Sequence, residues 1–328
     1  MKIERKKTLV TGAGGFIGSH LVEALVRMGA KVSVFVRYNS RGDLGLLERL
    51  PGEIKQEIEV FAGDLKDPEA LRQPARGCEL VFHLGSLIAI PYSYINPMDF
   101  VQTNIVGTAN LLNTCLGDNV EKIVHTSTSE VYGTAVYCPM DEKHPLQAQS
   151  PYSATKIAAD KLTESYHRAF RLPVAIARPF NTYGPRQSAR AIIPTIILQA
   201  LNGDKVMLGS VHPTRDFTYV EDTVSGLIEL AKSPDSIGEV INIGCGREIS
   251  IGELAQVILS IIGKKAEIFK EDRRVRPETS EVERLMCDNS KASKLLGWEP
   301  RTSLKEGLSR TIDWFKSHVG EYRRTYAI

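Results

Sequence analysis

Apolar positions in the first half of the chain fall into short β-branched runs. Residues 8–11, 31–36, 58–62, 80–83 and 122–126 read as buried strands. Between them, residues 15–28 and 98–116 place apolar side chains at helical spacing, and 68–74 reads as a short helix. A longer helical pattern starts at Pro151 and runs to about Phe170, and 173–177 predicts another strand. Strands alternating with helices predict a parallel sheet covered on both faces. Beyond Gly184-Pro185 the pattern loosens into shorter elements, with helices expected over 249–262 and 304–315. The expected architecture is α/β. A doubly wound parallel sheet occupies residues 1–180, with parts of 215–245 returning to it. A smaller, interleaved α/β lobe occupies 181–328.

The first strand runs into Thr11-Gly12-Ala13-Gly14-Gly15-Phe16-Ile17-Gly18 and then a helix. Such a turn must be tight, must let a pyrophosphate approach the backbone, and must let helix pack on strand. Gly12, Gly15 and Gly18 supply those three properties in turn, and the helix N-terminus offers free N–H groups. The spacing is wider than Gly-x-Gly-x-x-Gly, because Ile17 stands where that form needs glycine. A dinucleotide-binding, Rossmann-type domain follows, with Phe16 and Ile17 as part of the phosphate turn; a flexible Gly-rich loop is the bland alternative. NAD enzymes place a carboxylate at the end of the second strand to hold the ribose. Here the strand ends in Val36-Arg37, with Arg41 beyond. An Arg there pairs with a 2′-phosphate, which favours NADP over NAD. NAD used without that carboxylate stays open. Asp64, beside Leu65 at the end of the third strand, either accepts from the adenine or caps the next turn.

Tyr152-Ser153-Ala154-Thr155-Lys156 opens the long helix after Pro151. Positions four apart share a helix face, so Tyr152 and Lys156 point together. A neighbouring ammonium favours phenolate and is expected to lower the Tyr152 pKa towards that of a general base.

With the glycine turn upstream, this pair resembles the extended short-chain dehydrogenase/reductase family of nucleotide-sugar epimerases and dehydratases, over nearly the whole chain. In that family a strand-end hydroxyl meets the sugar beside the tyrosine, and Thr128 of Ser127-Thr128-Ser129-Glu130 matches it. Epimerases usually carry small residues at the next two positions. Ser129-Glu130 looks like the GDP-mannose 4,6-dehydratase version and departs from the Asp-Glu of dTDP-glucose enzymes, so the C6 proton is expected from Ser129 or Glu130. The resemblance implies catalytic roles for Thr128, Ser129, Glu130, Tyr152 and Lys156. It also implies that Ser86 sits on the sugar-facing loop, Asn181 at the diphosphate, and Arg215, Arg276 and Arg284 at phosphates, a surface salt bridge being the alternative for each arginine. Residues 276–285 and Asp288 are similar to the tail of the GDP-mannose and CDP-glucose dehydratases. Likeness to dehydratases of legionaminic-type pathways leans towards an N-acetylglucosamine nucleotide. The implied activity is a nucleotide-sugar 4,6-dehydratase. A 4-epimerase and a UDP-glucuronate decarboxylase are the alternatives within the family, and a non-catalytic cofactor-binding scaffold is the alternative outside it. Family members are usually homodimers through a bundle built partly from the 152–170 helix.

Composition narrows the partners. The chain has 328 residues, 42% hydrophobic and 24% charged, ordinary for a globular protein. Lys+Arg 41 against Asp+Glu 39 gives +2, so neither nucleic acid nor a membrane surface is expected as a partner. The five cysteines are scattered without a Cys-x-x-Cys pair, and read as reduced thiols. His83 and His125 lack the spacing of metal ligands, and Ser127 and Ser153 lack a Gly-x-Ser-x-Gly elbow. Asn104, Gly107 and Thr108 read as helix packing positions. No apolar run reaches membrane-spanning length and no signal-peptide pattern precedes the first strand, so the expected location is cytoplasmic.

Overall fold

The structure is a computed structural model that describes residues 1–117, 119–275 and 277–322, without the side chains of Arg273 and Glu278. Among the described residues, seven strands form one sheet. They are β1 (Lys7–Thr11), β2 (Lys31–Arg37), β3 (Ile58–Gly63), β4 (Leu80–His83), β5 (Lys122–Thr126), β6 (Val174–Pro179) and β7 (Val240–Ile243). Their order is β3-β2-β1-β4-β5-β6-β7. Every neighbouring pair is parallel. This is the Rossmann order, and the direction of winding reverses between β1 and β4.

The central strands are apolar and buried because helices cover both faces. Leu9, Val10, Val34, Phe82 and Val124 are all essentially inaccessible. The helix α1 (Phe16–Arg27) follows β1 directly, and α2 (Pro151–Phe170) packs beside β6. Ser150 caps α2: its hydroxyl accepts from the Ser153 N–H at 3.1 Å, and the Ser153 hydroxyl accepts from the Ser150 N–H at 3.0 Å. Pro151 fits the first helical position, where its missing N–H costs nothing. That reciprocal cap fixes where the helix begins, and so where Tyr152 sits.

The helical pattern over 98–116 is interrupted. Helical turns at Pro97–Phe100 give way to π-helix over Val101–Val106 and return to α-helix over Gly107–Thr114. Asn104 lies in that wide segment. Its Oδ1 accepts from the Leu87 N–H at 2.8 Å, and its Nδ2 donates to the Leu87 carbonyl at 3.0 Å and to Thr155 Oγ1 at 3.0 Å. Asn104 therefore does more than pack: it clamps the loop after β4 to α2.

Among the described residues, three two-stranded sheets build the smaller lobe: Asn181–Tyr183 with Phe217–Tyr219, Thr214–Arg215 with Ile249–Ser250, and Lys205–Leu208 with Glu267–Lys270. Helices Ile192–Asn202, Ile251–Ile262 and Leu304–His318 pack with them. One apolar cluster runs without a break from Val10 and Val34 to Ile258 and Phe315. The smaller lobe is thus welded to the sheet rather than hung from it.

Candidate active site

The reversal between β1 and β4 leaves a crevice at the carboxyl ends of the strands, the place where such sheets bind ligands. A cleft of about 980 Å³ opens there. One wall is the glycine turn. Gly12 has φ +69°, and a methyl on it would lie 2.7 Å from the Gly85 nitrogen, so it joins the β1 turn to the β4 turn. A methyl on Gly18 would lie 2.2 Å from the Gly12 carbonyl, so only glycine lets α1 start so close to β1. Gly15 caps α1 without a side-chain acceptor, and the first turn carries no acid. Phe16, Ile17 and Gly18 also line the cleft. A helix N-terminus without a carboxylate, behind a cradle that any Cβ would fill, fits the pyrophosphate of a dinucleotide.

Arg37, Asn39, Arg41, Asp64 and Leu65 line the same wall farther out. Asp64 Oδ1 accepts from the Lys66 N–H at 3.0 Å, so it closes the turn after β3 while facing the cleft. Asp43 Oδ1 is similarly engaged by the Gly45 N–H at 2.6 Å.

The opposite wall holds the reactive side chains. Thr128 follows β5 and accepts from the Glu130 N–H at 3.2 Å, which starts the 3₁₀ turn Ser129–Tyr132. That turn sets Thr128, Ser129 and Glu130 along the cleft with Tyr152 and Ser86. Tyr152 is 6% exposed and packs in an apolar cluster with Ile90 and Phe100. Lys156 is 3% exposed and donates to the Thr126 carbonyl at 2.8 Å. The expectation that Lys156 lowers the Tyr152 pKa is not met by the protein alone. Burial pushes the phenol well above its usual range, the Thr128 hydroxyl pulls it down only in part, and the Glu130 carboxylate pushes it up. Lys156 itself is lowered by burial to about 8. Desolvation dominates both shifts, and neither side chain counts among the causes of the other's.

Polar atoms wait in the cleft. Thr126 Oγ1, Ser127 Oγ, Asn181 Oδ1 and Gln187 Oε1 are buried without a hydrogen-bond partner, and all four residues line it. Orphaned buried polar atoms mark a site built for a polar ligand. On the far side Arg215, 6% exposed, lines the cleft and pairs with Glu281 at 3.2 Å. Sequence reasoning missed Glu281 and Arg274, which also line it. Arg284 is a correction. It does not line the cleft, and its guanidinium forms a two-pronged pair with Glu248 on the surface. The alternative weighed for each arginine, a surface salt bridge, describes Arg284. Arg276 lies outside the described residues.

His83, at the end of β4, is engaged away from the cleft. Thr108 donates to the Asn104 carbonyl at 2.6 Å, so it must accept from His83 Nε2 at 3.0 Å. Thr11 accepts from the Gly85 N–H at 3.1 Å and donates to His83 Nδ1 at 2.7 Å. His83 is therefore the neutral Nε2–H form, and burial keeps it so.

A Rossmann sheet, a glycine cradle at its reversal point and the tyrosine of a Tyr-x-x-x-Lys pair on the wall of the same crevice, its lysine buried off the lining, define a nicotinamide-dinucleotide-dependent enzyme. The family model described as "GDP-mannose 4,6 dehydratase" matches residues 9–311. The chain is 33% identical to dTDP-glucose 4,6-dehydratase of Streptomyces antibioticus over 94% of its own length and 92% of the relative's. It superposes with a TM-score of 0.89 on epimerase Mth375 of Methanothermobacter thermautotrophicus, at 30% identity, covering 97% of this chain and 94% of that one. With UDP-glucuronic acid 4-epimerase of Bacillus cereus, solved in complex with UDP-glucuronic acid and NAD, the TM-score is 0.86 at 30% identity, over 95% and 99% of the chains. The protein belongs to the extended short-chain dehydrogenase/reductase family of nucleotide-sugar epimerases and dehydratases. No helix among its described residues is long and apolar enough to cross a membrane.

Proposed function

We propose that this enzyme is a nucleotide-sugar 4,6-dehydratase, converting an NDP-hexose or NDP-N-acetylhexosamine to its 4-keto-6-deoxy form. The observation that carries the reading is Glu130, a carboxylate on the same cleft wall as Thr128, Ser129 and Tyr152. Moving a hydride away from C4 and back needs no second base. Removing the C5 proton and expelling the C6 hydroxyl does. A nicotinamide dinucleotide bound at the glycine cradle supplies the reversible hydride acceptor that side chains lack. Tyr152 takes the proton of the sugar O4, with Thr128 holding that hydroxyl and Lys156 supporting the phenolate. Once C4 is a ketone the C5 proton is acidic, and Glu130 removes it. Ser129 or Glu130 hands a proton to the departing C6 hydroxyl, water leaves, and the C5–C6 double bond so formed takes back at C6 the hydride that left C4 and a proton at C5, which gives the 4-keto-6-deoxy sugar. Asn181 and Arg215 hold the diphosphate.

The test is a product assay on UDP-, GDP-, CDP- and dTDP-linked sugars. A 4-keto-6-deoxy product, seen as absorbance that rises in alkali, is the expected result. A C4 epimer without that signal supports the second reading, 4-epimerisation, which epimerase relatives keep in view. For the cofactor, Arg37 at the end of β2 lines the cleft without a free carboxylate beside it, Asp43 and Asp64 being engaged by backbone N–H groups. This supports NADP. A charge-assisted contact worth roughly 1.5–3 kcal/mol corresponds to NADP binding at least tenfold more tightly than NAD. Titration of both into the stripped protein checks this, and equal or tighter NAD binding overturns it.

A further inference from the structure

Beneath the reactive side chains lies a buried charge cluster that the mechanism above does not use. Tyr152, Lys156 and Asp160 stand at successive fourth positions of α2 and share one face. Asp160 is 0% exposed. Arg178 on β6 donates to Asp160 Oδ2 through Nε at 3.1 Å and Nη2 at 3.0 Å. His125 Nε2 on β5 lies 3.4 Å from Oδ1. Arg178 is steadied in turn: its Nη1 donates to the Tyr132 hydroxyl at 3.0 Å, which donates to Asn242 on β7 at 2.7 Å. The carboxylate is thus held through Oδ2 by an arginine that is itself fixed, while its Oδ1 is buried without a hydrogen-bond partner.

Lys156 needs a counter-charge more than the other members do. A buried ammonium facing a carbonyl alone tends to lose its proton. The groups around it are Tyr152 and Asp160 on its own helix, His125 and the Thr126 carbonyl on β5, and His83 on β4, with Arg178 of β6 paired to Asp160. Glu130 faces Tyr152 from the 3₁₀ turn. Burial keeps both histidines neutral, and Arg178 is a cation. Asp160 is the carboxylate at this level of the helix, and its attraction opposes the burial that lowers Lys156.

We propose that Asp160 is a positioning residue: its carboxylate, held by Arg178, is the counter-charge that keeps Lys156 protonated beneath Tyr152. The inference rests on Tyr152 and Lys156 as the acid–base pair, and not on which nucleotide-sugar reaction they serve. Removing the carboxylate leaves Lys156 buried without the attraction that opposes its desolvation, so it gives up its proton at lower pH.

The experiment titrates the Lys156 Nζ signal by NMR in full-chain protein with isotope-labelled lysines, assigned by its loss in Lys156→Met. In Asp160→Asn the midpoint is expected to fall by at least one pH unit, and the alkaline limb of kcat should move with it. Asp160→Glu should restore both. If Asp160→Asn does not fold, the charge-balanced double variant Asp160→Asn with Arg178→Met takes its place, and its midpoint is also expected to fall. An unmoved midpoint in the folded variant, with the rate lowered uniformly across pH, overturns the proposal and leaves Asp160 a packing residue. The lysine titration decides this even if no nucleotide sugar yields a 4-keto-6-deoxy product, an outcome that sinks only the dehydratase reading.

Discussion

Replacing Glu130 with Gln is expected to stop 4-keto-6-deoxy sugar formation while leaving nucleotide-sugar binding within a few-fold of the unaltered enzyme. The substitution keeps the shape of the side chain and removes only its capacity to accept a proton. Positioned acid–base groups contribute about 10²–10⁴-fold, and Glu130 is assigned the C5 proton, so the loss should reach at least about 10³-fold. Binding should survive because Glu130 carries no contact to the diphosphate, which is assigned to Asn181 and Arg215. The comparison also separates the two readings. An epimerase keeps inverting C4 when Glu130 becomes Gln; a dehydratase halts with the sugar oxidised at C4. Calorimetry of sugar-nucleotide binding beside a product assay checks both halves, and full dehydration by the variant would overturn the assignment.

Tyr152→Phe should cost about 10²–10⁴-fold in turnover at unchanged affinity, because the O4 proton then has no acceptor. Its pH profile is the sharper readout. Burial raises the Tyr152 phenol, so at neutral pH the protonated form dominates and the rate of the unaltered enzyme should climb with pH as phenolate forms. Lys156, held near 8, should limit that climb as its ammonium is lost. The Phe variant has no phenol to ionise, so its residual rate should show no rising limb. A rising limb that persists in Tyr152→Phe would move the base to another group.

The backbone of this reading was visible in residue types and their order. The strands on either side of the glycine turn announce themselves because β-branched runs fit a doubly covered sheet. Ser150, Pro151 and the face shared by Tyr152 and Lys156 need only local geometry, so the start of α2 could be read from the chain. The strand Val240–Ile243 was harder: four apolar residues in a mixed region acquire meaning only when β6 lies beside them. The π-helical turn around Asn104 left no local signature. It accompanies the bonds from Asn104 to Leu87, seventeen positions away.

Charged side chains mark the limit most clearly. Arg215 and Arg284 look alike in sequence, each set in a conspicuous motif. The fold turns Arg215 into the cleft beside Glu281 and leaves Arg284 outside it on Glu248. Asp160 repeats the four-residue spacing of Tyr152 and Lys156, yet its role emerges only once β5 and β6 bring His125 and Arg178 to it. The sequence by itself determined the sheet's alternation, the phosphate turn and the order of reactive residues, because steric rules of turns and helix faces act over a few residues. The tertiary structure decided which charges meet and how far burial shifts them, because desolvation and ion pairing depend on groups that are neighbours only in space.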